Sequence, residues 1–290
     1  MTSVTDFDLK AYIKARATLV DAALERFLPR GEDTLGGVGE MMRYAMFPGG
    51  KRFRPVLTVA TAEALGFDAG RVMPTACAFE MIHGFSLVHD DLPCMDDDAE
   101  RRGKPSCHVR FGEAEALLAG DALSLDAFRL VAANARVSDV RPDAVIRVVE
   151  ELSEASGFPG MVGGQLLDIH GMRADSVSAE ALVGIHRAKT GALIRGSVRA
   201  GAILCDATEP QLAALTGYAE RLGLVFQITD DLLDYGEKEE TASYPVVFGV
   251  EESRRLARVA TEEGLDCLKG FPESAEPLRA LARYLLSRET

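Results

Sequence analysis

FQITDDLLDY, residues 226–235, is the stretch that decides how the chain folds. Gln227, Asp230, Asp231 and Asp234 stand at i, i+3, i+4 and i+7, a spacing that puts four side chains on one face of an α-helix. The intervening Ile228, Leu232 and Leu233 are apolar, so this helix is expected to be largely buried. Three carboxylates on one stripe of a buried helix are costly unless cations or a metal sit among them. A surface stripe of salt-bridged acids is the bland alternative.

The same helical period runs outward in both directions. Residues 6–28, 38–46, 113–133, 142–156, 160–170, 179–204, 209–235, 250–269 and 275–288 read as helices. Pro55 and Pro74 open two more, to about residues 65 and 91, since proline suits a first helical turn. Pro29 to Gly31, Pro48 to Gly50 and Pro93 read as stops. Convincing alternating strands are not found, and no linker divides the segments. The expectation is an all-α chain with one domain over residues 1–290.

Composition narrows the function. The 290 residues carry 32 Lys plus Arg against 45 Asp plus Glu, a net charge of −13, which argues against nucleic acid as a default partner. No apolar run is long enough for a membrane span. The five cysteines are odd in number and lack a CxxC pair, which reads as reduced thiols and a cytoplasmic address. The acidic N-terminus does not look like a secretory signal.

A second acidic cluster, HDDLPCMDDDAERRGKP, spans residues 89–105. Asp90, Asp91, Asp96, Asp97 and Asp98 repel one another unless a cation intervenes. Pro93 should end the helix after Asp91 and let the later acids fold back towards the first. Alone, this cluster reads equally well as a solvated loop. Two facing aspartate clusters would suit Mg²⁺, which takes oxygen ligands and shares carboxylates with substrate phosphates. The lack of His and Cys patterns disfavours zinc and redox metals.

Bases lie close by. Gly49-Gly50-Lys51-Arg52-Phe53-Arg54-Pro55 joins glycines to three cations at a helix start, a site that can offer backbone N–H groups and guanidinium forks to phosphate. Arg101 and Arg102 follow the first acids, and Lys189-Thr190-Gly191 lies in another helix. His83 stands seven residues before Asp90, on nearly the same helix face. Gly163-Gly164-Gln165 and Asp168 give a polar pair on an otherwise apolar helix, which a helix–helix hydrogen bond would also explain.

With these motifs in hand, the sequence resembles the head-to-tail trans-prenyltransferases, the polyprenyl diphosphate synthases, and among them the bacterial farnesyl-forming enzymes. DDLPCMD with RRGKP resembles the family's first aspartate-rich motif and FQITDDLLD the second. GGKRFRP, EMIHGFSLVHDD, LAGDAL, GMVGGQLLD and HRAKTGALIR match other family blocks in order. The resemblance implies an isoprenoid-synthase-type bundle of long helices around a central cavity, usually a homodimer, using about three Mg²⁺ ions per site. It implies that Asp90, Asp96 and Asp230 hold metal, with Asp91, Asp231 and Asp234 in support. It further implies that Lys51, Arg54, His83 and Arg102 contact isopentenyl diphosphate, and that Arg101, Lys189, Thr190 and Gln227 lie near the allylic diphosphate. Phe85 resembles the residue that floors the cavity in farnesyl-forming enzymes, so a fifteen-carbon product is expected, with geranylgeranyl or geranyl diphosphate as the alternative. On a plain helical wheel Ser86, not Phe85, is nearer the Asp90 face.

The pattern breaks after Asp234. YGEKEETASYPVVFG carries only Lys238 where the family has a loop with two diphosphate-contacting lysines. Either that loop is deleted or the chain as written omits a stretch, which an intact mass above 31.2 kDa would reveal. The missing lysines keep open a non-catalytic partner subunit, against which the complete aspartate clusters argue. An acidic helical interaction protein would leave GGKRFRP and RRGKP without a purpose.

Overall fold

The computed structural model describes residues 7–30, 35–47, 49–172, 177–236 and 243–288. In chain order its longer helices are α1 (Leu9–Phe27), α2 (Val38–Met46), α3 (Phe53–Ala64), α4 (Met73–Asp90), α5 (Cys107–Phe111), α6 (Glu113–Ala133) and α7 (Pro142–Ser156). They continue with α8 (Met161–Met172), α9 (Ala179–His186), α10 (Ala192–Leu204), α11 (Glu209–Asp234), α12 (Tyr244–Phe248), α13 (Val250–Cys267) and α14 (Glu276–Ser287). The fold is all-α, as the periodicity predicts. Gly31, Pro48 and Lys238 lie outside the described residues.

The core reaches from Val20 in α1 to Leu285 in α14. Helix α4 is buried at every position from Pro74 to Ile82, the signature of a helix enclosed on all sides. It packs along α6, while α10 bridges α3, α7 and α11. Helix α11 opens with a capping box: Thr208 Oγ1 accepts from the Gln211 amide, and Gln211 Oε1 accepts from the Thr208 amide at 2.9 Å. The cap fixes the start of the helix whose last turns carry Asp230 and Asp234. No described helix is long and apolar enough to cross a membrane.

The short helices α5 and α12 lie outside the helices expected from sequence, and two further features near the cavity depart from expectation. The helix anticipated over 179–204 is interrupted by a π-helical turn, Arg187–Gly191, which widens the spiral at Lys189 and Thr190. Helix α8 presses its backbone against that turn: a Cβ on Gly164 would lie 2.2 Å from the Lys189 amide nitrogen. RRGKP, in turn, makes a miniature hairpin in which Glu100–Arg101 pairs with Lys104–Pro105. Arg102 and Gly103 at its tip both have positive φ, 57° and 76°, the geometry of a two-residue hairpin turn. Two-residue strands are too short to show alternation, which hides them from periodicity.

Candidate active site

The C-terminal half of α4 forms one wall of a cavity of about 370 Å³. Arg54, His83, Phe85, Ser86, Asp90, Gln165, Lys189 and Thr190 all line it, so eight of the residues singled out from sequence meet in one hollow. Between these polar groups the lining is apolar, with Met161, Leu166, Ile169 and Leu193. Phe85 and Ser86 both reach the cavity. The Phe85 ring stands edge-on to His89 with centroids 4.7 Å apart, and the Ser86 hydroxyl turns back to donate to the His83 carbonyl at 2.9 Å.

The first acidic cluster folds back as anticipated. Helix α4 stops at Asp90, and the Asp96 amide donates to the Asp90 carbonyl at 2.9 Å. Burial pushes the Asp90 carboxyl up to about 6, and the Asp96 and Asp91 charges add to the rise. Burial also raises Asp96. Lys189, which lowers both, forms an ion pair at 2.6 Å with Asp168 on α8. The polar pair read on α8 is thus partly a docking contact for the π turn.

Asp91, expected among the metal ligands, is occupied differently. Its side chain is 3% exposed and is gripped by Arg101, whose Nε donates at 2.9 Å and whose Nη2 bonds both Asp91 and Asp98. Arg101, expected beside the allylic diphosphate, therefore fixes the motif's turn with two of its nitrogens. Asp231 likewise accepts from the Tyr244 amide at 2.8 Å, capping α12.

The three bases of GGKRFRP have three fates. Arg52 is buried and bonded to Glu80, Asp21 and the Met46 carbonyl, so it holds the scaffold. Lys51 is exposed and lines a separate hollow with Phe53 and Tyr284. Arg54 points into the cavity; its Nε is shielded from water without a hydrogen-bond partner, and no described carboxylate pairs with it. Burial holds the Arg54 guanidinium below its usual range, Arg102 lowers it further, and the Asp230 charge acts to raise it. The Glu80 charge acts to raise it more than Asp230 does. Gly49 and Gly50 also make room for these bases: a Cβ on Gly49 would strike the guanidinium of Arg52, and one on Gly50 that of Arg102. Burial and the charges of Arg54, Arg102, Arg52 and Arg101 hold His83 well below the usual imidazole range, so it is neutral.

On the second wall, Asp230, Asp234 and Gln227 are not among the residues lining this cavity; burial raises the Asp230 carboxyl, and the largest opposing influence is Arg288 beyond the end of α14. Asp234 lies exposed on the last turn and Gln227 half-buried before it. Sequence reasoning missed Arg288, because a lone base near a chain end carries no periodic signal, and missed the Arg52–Glu80 pair for the same want of local pattern.

The donor set fits Mg²⁺ arriving with a diphosphate. Among the described residues no three acidic, His or Cys side chains form a ready-made metal cage. Magnesium does not need one, since it keeps waters and takes one or two carboxylates together with substrate oxygens. Asp90 and Asp96 on one wall, and Asp230 and Asp234 on the other, would hold it.

Comparison with known proteins agrees with this geometry. The Polyprenyl synthetase family matches residues 37–248. A geranylgeranyl diphosphate synthase of Cyanophora paradoxa is 39% identical, covering 98% of each chain. The heterodimeric geranylgeranyl pyrophosphate synthase large subunit 1 of Arabidopsis thaliana is 42% identical over 98% of this chain and 81% of its own. The crystal structure of an FPP/GFPP synthase from Zymomonas mobilis superposes with a TM-score of 0.90 at 36% identity, covering 96% of this chain and 99% of that one. With the family model spanning residues 37–248 and relatives of about 40% identity over nearly the whole chain, the chain belongs to the polyprenyl synthetase family.

Proposed function

We propose that the protein is a Mg²⁺-dependent prenyl elongase that joins isopentenyl diphosphate to an allylic diphosphate. The observation that carries this reading is Arg54. A guanidinium whose Nε is shielded from water with no hydrogen-bond partner, and with which no described carboxylate pairs, is costly unless an anion completes it. It faces the same apolar hollow as the desolvated Asp90.

Bound Mg²⁺ would neutralise charge on the departing diphosphate. Arg54 and Arg102 would hold the isopentenyl diphosphate, with neutral His83 as a hydrogen-bonding neighbour that adds no charge, while Lys51 stands in the separate hollow. Lys189 and Thr190 on the widened π turn, with Gln227, would face the allylic end. The allylic C1–O bond breaks and its electron pair leaves with the diphosphate. The isopentenyl π pair forms the new carbon–carbon bond at C1, and the proton lost to restore a double bond goes to the released diphosphate. The apolar walls at Phe85, Met161, Leu166, Ile169 and Leu193 keep water from the cation.

For product length, the named sequence relatives favour the twenty-carbon geranylgeranyl chain over the fifteen-carbon product expected from sequence. Farnesyl diphosphate is kept as a second reading because Phe85 does line the cavity. A homodimer is supported by the exposed Leu118 and Leu125 on α6, at 60% and 73%. A cytoplasmic address rests on the unpaired thiols alone. Mass analysis of the products from isopentenyl diphosphate and each allylic diphosphate tests the assignment. A twenty-carbon product supports the main reading, a fifteen-carbon product the second, and no product with any pair supports a non-catalytic subunit.

A further inference from the structure

The two acidic walls differ in one respect. Asp90 has no cation within ion-pairing distance among the described residues, whereas Asp230 Oδ1 lies 3.1 Å from Arg288 Nη2. The pair is partly shielded, with side chains 34% and 19% exposed. The Arg288 guanidinium also lies 5.7 Å from the centroid of Phe226, one turn earlier on the same face of α11. Helix α14, which ends one residue before Arg288, is anchored without it. Tyr218 donates to the Leu278 carbonyl at 2.6 Å, and Arg279 donates to the Leu268 and Phe271 carbonyls at 3.0 and 2.7 Å. The Arg288 side chain can leave while α14 stays in place.

A guanidinium against Asp230 Oδ1 competes with a metal ion for that carboxylate. We propose that Arg288 is the resident counter-ion of Asp230, and that an incoming metal–diphosphate complex competes with it for that carboxylate. Arg288 is then a positioning residue: acting through Asp230, it sets how readily that wall accepts a second cation. The inference rests on the magnesium–diphosphate reading of the site.

A competing counter-ion has a signature that a purely structural arginine lacks. Removing it weakens the metal-free protein yet strengthens binding of the incoming cation. The test is calorimetric titration of the full chain with inorganic pyrophosphate, with and without Mg²⁺, for wild type, Arg288→Gln and Arg288→Lys. Arg288→Gln is expected to bind magnesium pyrophosphate about two- to fivefold more tightly, the range of a partly exposed ion pair, with no gain when Mg²⁺ is left out. Its melting temperature without metal should fall. Arg288→Lys, which keeps the charge but loses the planar fork, should show a smaller gain of the same sign and serves if the glutamine variant does not fold. Equal or weaker binding in a folded variant overturns the proposal. If wild type itself binds no magnesium pyrophosphate, the reading of the whole site fails, an outcome distinct from the first.

Discussion

The amide of Asp96 donates to the carbonyl of Asp90 over 2.9 Å. This turn, eased by a positive φ of 54° at Asp97, an angle aspartate tolerates better than most residues, brings Asp96 back beside Asp90, which lines the cavity. Asp90→Ala should therefore leave the helices intact, as circular dichroism would show, while lowering turnover by about three orders of magnitude. An Asp90 that only supported the fold would instead lower stability and spare the rate.

Burial raises Asp90 from 3.8 to about 6, so the folded state binds its proton more tightly than the unfolded chain. Its contribution to stability therefore falls as pH rises from about 4 to about 6, by about 2–3 kcal/mol at most. Metal-free Asp90→Asn should melt higher than wild type at pH 7.5, and the difference should vanish near pH 4. Thermal melts at the two pH values check the sign.

Arg101 holds Asp91, whose side chain is 3% exposed. Arg101→Ala would leave that carboxylate buried and unpaired, at a cost of about 3 kcal/mol. The melting temperature should fall by several degrees, and activity should fall with it because the turn that presents Asp96 loses its brace. Arg101→Lys should recover part of the stability.

Phe85 borders the cavity on the Asp90 wall, with its ring against His89. Phe85→Ala opens space there and should shift products to longer chains, read by mass spectrometry. An unchanged product distribution would show that the chain end is stopped elsewhere.

Much of this was legible in residue order. The i, i+3, i+4, i+7 stripe places Asp230 and Asp234 on α11, and the stop at Pro93 places the turn to Asp96, because helical period and proline are local signals. Helices α6 and α7 begin and end where their apolar period does. The partners of the acids were not legible. Arg101 on Asp91 joins residues through a hairpin whose strands are two residues long, and Arg288 on Asp230 joins positions 58 apart. The π turn at Lys189 was hidden as well, since it depends on Gly164 in another helix leaving room for its backbone. Fate within GGKRFRP was equally non-local: Glu80 and Asp21 select Arg52 for the scaffold and leave Arg54 to the cavity.

The most direct test of the central claim follows the consumption of an allylic diphosphate and isopentenyl diphosphate by the full chain, with Mg²⁺ and again with excess chelator. Ionisation between two aspartate walls predicts release of inorganic diphosphate together with a chain longer by five carbons when Mg²⁺ is present, and neither when it is removed. Elongation that persists undiminished in chelator, or diphosphate release that yields only the allylic alcohol, would contradict it.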